Sequence, residues 1–166
     1  PILAVEISLD GPHALEAIGE LRRRAGEYLL VGAGAVNSLA RLEAALAVEA
    51  HFTAGDDYTP ALITQAQTYH GLHLPTIRTS AEAERVLASG CPMFKSMGLS
   101  AADLSQFGDH QAAIPVNPPL PQLGDFVKAG AVAVAVDSLV DGPAPAMSAI
   151  ITAARHWSAA WKRLHL

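Results

Sequence analysis

Residues 90–98 read Gly-Cys-Pro-Met-Phe-Lys-Ser-Met-Gly, an apolar run between two glycines that contains one charged side chain, that of Lys95. The run is too short for a helix and predicts a buried strand. Because removing an ammonium group from water costs free energy, a lysine in such a strand is expected to be paired, neutral or chemically active. A desolvated lysine can attack a carbonyl carbon and form a Schiff base. The alternative is a structural lysine that extends to solvent from the mouth of the strand.

The composition indicates one compact, alanine-rich domain over residues 1–166. Of these residues 51% are hydrophobic but only 5% are aromatic, and the formal net charge is −5. The negative charge and the scattered basic residues argue against binding to nucleic acid. No apolar run has the length of a membrane span, and the single cysteine, Cys91, suits a reducing cytoplasm. We therefore expect a cytoplasmic protein with no membrane partner.

Strand and helix patterns alternate along the chain. Seven strands are expected near residues 1–9, 28–31, 50–54, 71–75, 90–98, 112–115 and 131–136, each followed by a helical pattern. Such alternation predicts a parallel sheet in an α/β fold. Two architectures compete: an open doubly wound sheet, and a (β/α)8-type TIM barrel that lacks its first β/α unit and so has seven strand-helix pairs. The polar face of the first strand, with Glu6 and Ser8, favours the barrel.

Five motifs in order resemble the family of 2-keto-3-deoxy-6-phosphogluconate and 4-hydroxy-2-oxoglutarate aldolases, which are class I pyruvate aldolases built as (β/α)8 barrels. The motifs lie at residues 5–18, 31–36, 52–59, 74–83 and 94–95. The resemblance implies that Lys95 forms a Schiff base with the substrate and that Glu6 is the general acid and base. It also implies a homo-oligomer, with a trimer expected, and a shortened chain without the family's first strand and helix.

The chain departs from the family at positions that contact substrate. Asp10 stands where the family has an arginine for the substrate carboxylate, and Ala35 stands where a threonine usually follows Gly-Ala-Gly. The family's Pro-Gly after its fifth strand is replaced by Pro75-Thr76. The resemblance implies that Thr76 is a substrate-binding residue.

The phosphate cradle of the family is also changed. Asn117-Pro118 replaces a Gly-Gly, and residues 136–138, Val-Asp-Ser, replace a Gly-Gly-Ser. The resemblance makes Asn117 and Ser138 substrate-binding residues. Because proline has no N–H and Asp137 would repel phosphate, the sequence does not favour a phosphorylated substrate.

Two functions follow from these observations. The first is an aldolase-type lyase that cleaves a 2-oxo acid, of the 2-keto-3-deoxy-6-phosphogluconate or 4-hydroxy-2-oxoglutarate class, to pyruvate and an aldehyde. In a barrel, Glu6 and Lys95 would face the lumen within hydrogen-bond reach, directly or through one water. The second is a catalytically inactive barrel with a binding or assembly role, because the substrate positions are altered.

Other kinds of site have less support. The seven histidines show no metal-ligand spacing, and we expect His70 and His73 on the surface across a turn. Residues 32–34, Gly-Ala-Gly, lack the third glycine and the acidic residue of a dinucleotide fingerprint, so neither a metal nor a cofactor is predicted. Pro1 resembles the nucleophile of the tautomerases, whose chains are much shorter.

Overall fold

A computed structural model describes residues 4–107, 113–137 and 146–164. These ranges contain seven strands and seven α-helices. The strands are β1 (Ala4–Ser8), β2 (Leu30–Gly34), β3 (Phe52–Ala54), β4 (His73–Leu74), β5 (Thr76–Ile77), β6 (Phe94–Ser96) and β7 (Ala113–Pro115). The helices are α1 (Ala14–Ala25), α2 (Leu39–Ala47), α3 (Pro60–Thr68), α4 (Ser80–Ala88), α5 (Ala101–Ser105), α6 (Leu123–Lys128) and α7 (Met147–Arg163).

The described chain divides into two compact units. The first unit comprises residues 4–94, and the second comprises the described residues from 95 onward. A single domain over residues 1–166 stays a prediction. None of the described helices is long and apolar enough to cross a membrane.

The first unit is built on a four-stranded sheet in the order β1-β2-β3-β4. All neighbouring strands in it are parallel, which confirms the direction predicted from strand and helix alternation. Side chains alternate across β1, so Val5 and Ile7 pack against a buried core that includes Ile18 of α1 and Val31 of β2. Glu6 lies on the opposite face of the sheet.

Glycines in β2 make room on the face that carries Glu6. Gly32 lies beside Phe52 of β3, whose ring occupies the position that a side chain at residue 32 would need. Gly34 lies beneath the side chain of Glu6, and a Cβ atom at residue 34 would come within 2.5 Å of Glu6 Oε1. Val31 and Ala33, which alternate with these glycines, are fully buried on the other face.

One predicted strand is two in the structure. The expected strand at 71–75 becomes β4 and β5, which are separated by Pro75. Proline has no N–H to give to a sheet, so it interrupts the hydrogen-bond ladder at this point. The helix that follows β5 begins with a capping box, in which Thr79 and Glu82 satisfy each other's backbone N–H groups.

β6 begins in the first unit and continues into the second, and the second sheet has the order β5-β6-β7. The prediction of a strand at 131–136 was wrong. This segment forms only an isolated parallel bridge, between Ala135 and Val116. Its backbone does follow β7, because Ala135 N–H donates to the carbonyl of Pro115 over 2.9 Å. Pro115 has no N–H, so a continuous ladder cannot form there.

The expectation that His73 lies on the surface was wrong. His73 is buried in β4, and its Nδ1 shares a hydrogen bond of 2.9 Å with Thr53 Oγ1 on the neighbouring strand. Its carbonyl oxygen accepts a hydrogen bond of 3.4 Å from the Sγ of Cys91. The cysteine is itself buried, and this burial raises the pKa of its thiol.

Candidate active site

Lys95 lies in the middle of β6 and is buried. Its exposed fraction is 8%, and both of its neighbours in the strand, Phe94 and Ser96, are buried too. The short apolar run therefore forms a buried strand, as the sequence predicted, and Lys95 is one of its buried residues. Such an environment is where lysine nucleophiles are found.

Glu6 projects from β1 over the end of β2. Its side chain is exposed within the described chain, and its carboxylate passes over Gly34. A side chain at residue 34 would displace this carboxylate from its present position. Glu6 belongs to the first unit and Lys95 to the second, and their proximity stays a prediction.

The predicted substrate-binding residues differ in their surroundings. Thr76 is buried in β5, and its hydroxyl donates a hydrogen bond of 2.7 Å to the carbonyl of Gly55. The hydroxyl proton of Thr76 therefore already takes part in a hydrogen bond within the protein. Asn117 is exposed after β7, and Ser138 lies outside the described residues.

The side chain of Asn117 is held by Asp137. Its Nδ2 donates to Asp137 Oδ2 over 3.1 Å, and its Oδ1 accepts from the backbone N–H of Asp137 over 3.0 Å. Asn117 has a positive φ of 49°, a conformation that asparagine tolerates better than most residues. The pair brings a carboxylate, rather than a glycine backbone, to the carboxyl end of β7.

A cavity of about 260 Å³ lies within the second unit at the carboxyl ends of β6 and β7. Its lining includes Ser96, Leu99, Asn117, Pro118 and Phe126, and no lysine or arginine of the described chain is part of it. The Oγ of Ser96 is buried and makes no hydrogen bond to the described residues. The cavity thus offers apolar surface, with the buried hydroxyl of Ser96 in its wall.

An arginine that the sequence analysis missed lies at the carboxyl ends of β1 and β2. Arg41 Nη1 donates to Asp10 Oδ1 over 2.7 Å and to the carbonyl of Ala35 over 2.8 Å. The signal available in the sequence was Asp10 itself, which stands where the family has an arginine. An acidic residue at that position can hold an arginine that comes from another element.

The described residues contain no group of three or more histidine, cysteine or acidic side chains that could hold a metal ion.

The chain is similar to solved structures of aldolases. No family model matches it, and no curated protein matches its sequence. A native KDPGal structure is 19% identical, with a TM-score of 0.88, and the match covers 98% of this chain and 83% of that chain. A 4-hydroxy-2-oxoglutarate/2-dehydro-3-deoxyphosphogluconate aldolase is 26% identical, with a TM-score of 0.78 and coverage of 95% and 80%.

A third structure is the KDPG aldolase from Legionella pneumophila, in which pyruvate was captured as a covalent carbinolamine. It is 19% identical with a TM-score of 0.69, and the match covers 95% of this chain and 77% of that chain. The chain therefore has the parallel α/β, TIM-barrel-type fold of the 2-keto-3-deoxy-6-phosphogluconate and 4-hydroxy-2-oxoglutarate aldolases, which confirms the resemblance found in its sequence.

Proposed function

We propose that the chain is a class I aldolase, a carbon–carbon lyase that cleaves a 2-oxo acid to pyruvate and an aldehyde. The similarity to solved aldolases supports an aldolase function. The observation that carries the finer proposal is the burial of Lys95 in β6, at the position that resembles the family's Schiff-base lysine. A carbinolamine is the first covalent species that such a lysine would form with pyruvate.

In the proposed reaction, Lys95 Nζ attacks the C2 carbonyl carbon of the 2-oxo acid and the resulting carbinolamine loses water to form a Schiff base. Glu6 then accepts the proton of the C4 hydroxyl as the C3–C4 bond breaks. The aldehyde leaves, and the bonding electron pair passes through C3 toward the iminium nitrogen to give an enamine. Glu6 returns a proton to C3, and hydrolysis releases pyruvate and restores the amine.

Borohydride trapping tests this proposal. Incubation with pyruvate and sodium borohydride, followed by peptide mass spectrometry, is expected to show a reduced pyruvate adduct on Lys95. Lys128 and Lys162 are exposed and serve as internal controls that should remain unmodified. Absence of an adduct in folded protein would favour the catalytically inactive barrel.

We propose a substrate without a phosphate group. Pro118 and Pro119 have no N–H groups to donate to a phosphate. The Asp137 carboxylate accepts a hydrogen bond from Asn117 and brings a negative charge. The nearby cavity has no lysine or arginine among its described lining residues. A phosphate there would meet a like charge without compensating donors.

The condensation of pyruvate with glyceraldehyde is accordingly expected to have a kcat/KM at least about tenfold higher than that with glyceraldehyde 3-phosphate. Asp137→Asn should narrow this difference by removing the negative charge. Asp125→Asn, which removes an exposed carboxylate on α6, is the matched control and should leave the ratio unchanged. A preference for the phosphorylated aldehyde would contradict the proposal.

We also propose that the protein is a homo-oligomer, with a trimer expected from the resemblance. Large apolar side chains on α7 support this proposal, since Met147 and Ile151 are 69% and 43% exposed. Exposed apolar surface of this kind is typical of protein contacts. Light scattering coupled to size-exclusion chromatography should give three times the chain mass, and a monomer at micromolar concentration would contradict the expectation.

A further inference from the structure

The cavity of the second unit has a buried floor and an exposed mouth. Among its described lining residues, Ser96, Pro115, Pro118 and Phe126 are buried, whereas others such as Gln122 are exposed. All of them belong to the unit that begins at residue 95, so the cavity forms within one compact unit. A concave, largely apolar space that is closed at its base and open to solvent is the usual form of a small-molecule site.

Ser96 brings one hydrogen-bonding group to the floor of this cavity. Its exposed fraction is 2%, and its Oγ makes no hydrogen bond to the described residues. A buried hydroxyl without a partner costs free energy, because the hydrogen bonds that it made to water in the unfolded chain are lost. A bound molecule with a polar atom next to Ser96 Oγ would remove this cost.

The cavity lies on the face of β6 that is turned away from Lys95. Side chains alternate along a strand, so Ser96 and Lys95 project to opposite faces. Ser96 lines the cavity and Lys95 does not, and on another side the cavity is bounded by Phe126 of α6. A molecule bound there would not be at the position of the 2-oxo acid that condenses with Lys95.

The charges around the mouth disfavour an anion. None of the described lining residues is charged, but two of them bond to carboxylates. Asn117 Nδ2 donates to Asp137 Oδ2 over 3.1 Å, and the hydroxyl and N–H of Ser100 donate to Asp103 Oδ2 over 2.7 and 2.8 Å. The hydrogen bonds from Ser100 hold the pKa of the Asp103 carboxyl below its usual value, so this group is ionised at neutral pH.

The apolar floor disfavours a cation as well. An ammonium or guanidinium group seated against buried proline and phenylalanine rings would lose its hydration without an acceptor of opposite charge in the lining. An anion would meet the two carboxylates at the mouth. The cavity therefore favours an uncharged ligand.

The size and the rings of the floor indicate what kind of uncharged ligand fits. An apolar protein cavity of about 150 Å³ accommodates benzene. The cavity here measures about 260 Å³, which leaves room for an aromatic ring with a short substituent. Three of its four buried lining residues, Pro115, Pro118 and Phe126, carry rings, and a flat aromatic ligand gains a large contact area against such side chains.

We propose that this cavity binds a small uncharged aromatic molecule with one hydroxyl group. The ring packs on Pro115, Pro118 and Phe126, and the hydroxyl forms a hydrogen bond with Ser96 Oγ. The inference goes beyond the proposed function and does not rest on it, since the site faces away from Lys95. Phenol is the simplest molecule of this class and serves as the probe.

Isothermal titration calorimetry on the full chain compares phenol with two molecules of similar shape. Phenol is expected to bind with a Kd of about 1 mM or below. Benzoate has the same ring but carries a negative charge, and it should bind at least about tenfold more weakly. Toluene has a methyl group in place of the hydroxyl and reports the contribution of the ring alone.

Ser96→Ala separates the hydroxyl from the apolar contacts. It is expected to weaken phenol binding about fivefold or more, and to change toluene binding by less than about twofold. Ser105→Ala, which removes an exposed hydroxyl on α5, is the matched control and should leave both affinities unchanged. The Tm of ligand-free Ser96→Ala should not fall, because its hydroxyl has no partner among the described residues.

Several results would overturn this inference. Absence of saturable phenol binding at about 10 mM would show that the cavity holds water only. Tighter binding of benzoate than of phenol would contradict an uncharged ligand, and unchanged phenol binding in folded Ser96→Ala would contradict the hydrogen bond. A fall in the Tm of Ser96→Ala would assign its hydroxyl to the fold. Absence of a pyruvate adduct on Lys95 would overturn the proposed function and leave this inference in place.

Discussion

Lys95→Met is expected to abolish both lyase activity and pyruvate trapping while the protein stays folded. Methionine has a similar length and is apolar, so it fits a buried position in β6 without an ammonium group to desolvate. We expect kcat to fall at least about 10⁴-fold, as when other enzymes lose a covalent nucleophile. The free energy of unfolding should change by no more than about 2 kcal/mol.

A lactate dehydrogenase assay of pyruvate release would measure the fall in kcat. Urea unfolding followed by circular dichroism would measure the change in the free energy of unfolding. Lys128→Met removes an exposed lysine near the end of α6 and should alter neither quantity. Retention of activity in Lys95→Met would assign the reaction to another nucleophile. Loss of folding would instead show that the lysine is structural.

Glu6→Gln is expected to lower kcat by about 10²- to 10⁴-fold, the usual contribution of a positioned general acid and base. Glutamine keeps the shape of the side chain that passes over Gly34 but cannot accept a proton. Glu43→Gln, an exposed position on α2, is the control and should retain full activity.

A second variant tests the position of this carboxylate rather than its chemistry. Gly34→Ala places a Cβ atom within 2.5 Å of Glu6 Oε1, so the carboxylate must move while its charge remains. We expect activity to fall as the acid and base is displaced, with a smaller change in stability because the end of a side chain can shift. If the two single variants, Gly34→Ala and Glu6→Gln, both keep full activity, Glu6 has no part in the mechanism.

Much of the fold could be predicted from local patterns. Alternation in β1 separated Val5 and Ile7, which pack on the core, from Glu6 on the other face. The short apolar run around Lys95 indicated a buried strand, and the strand is buried along its whole length. These predictions succeeded because each depends only on the period of side chains along a strand.

Features that depend on partners distant in sequence were missed. Residues 131–136 have the composition of a strand, yet the neighbouring Pro115 leaves only one bridge. His73 is buried because Thr53, twenty residues away, offers a hydrogen-bond partner. The contact between Asp10 and Arg41 joins positions 31 apart, which no local pattern reveals. Periodicity reports the faces of an element, whereas a site is assembled from the ends of several elements.

The thiol of Cys91 is useful because it is the only one in the chain. Burial keeps it protonated at neutral pH and out of reach of alkylating reagents, so it reacts only when the structure around it opens. Its rate of modification by iodoacetamide therefore measures how often the structure around Cys91 opens by local unfolding. The natural sequence carries its own reporter of local unfolding, and no label has to be introduced.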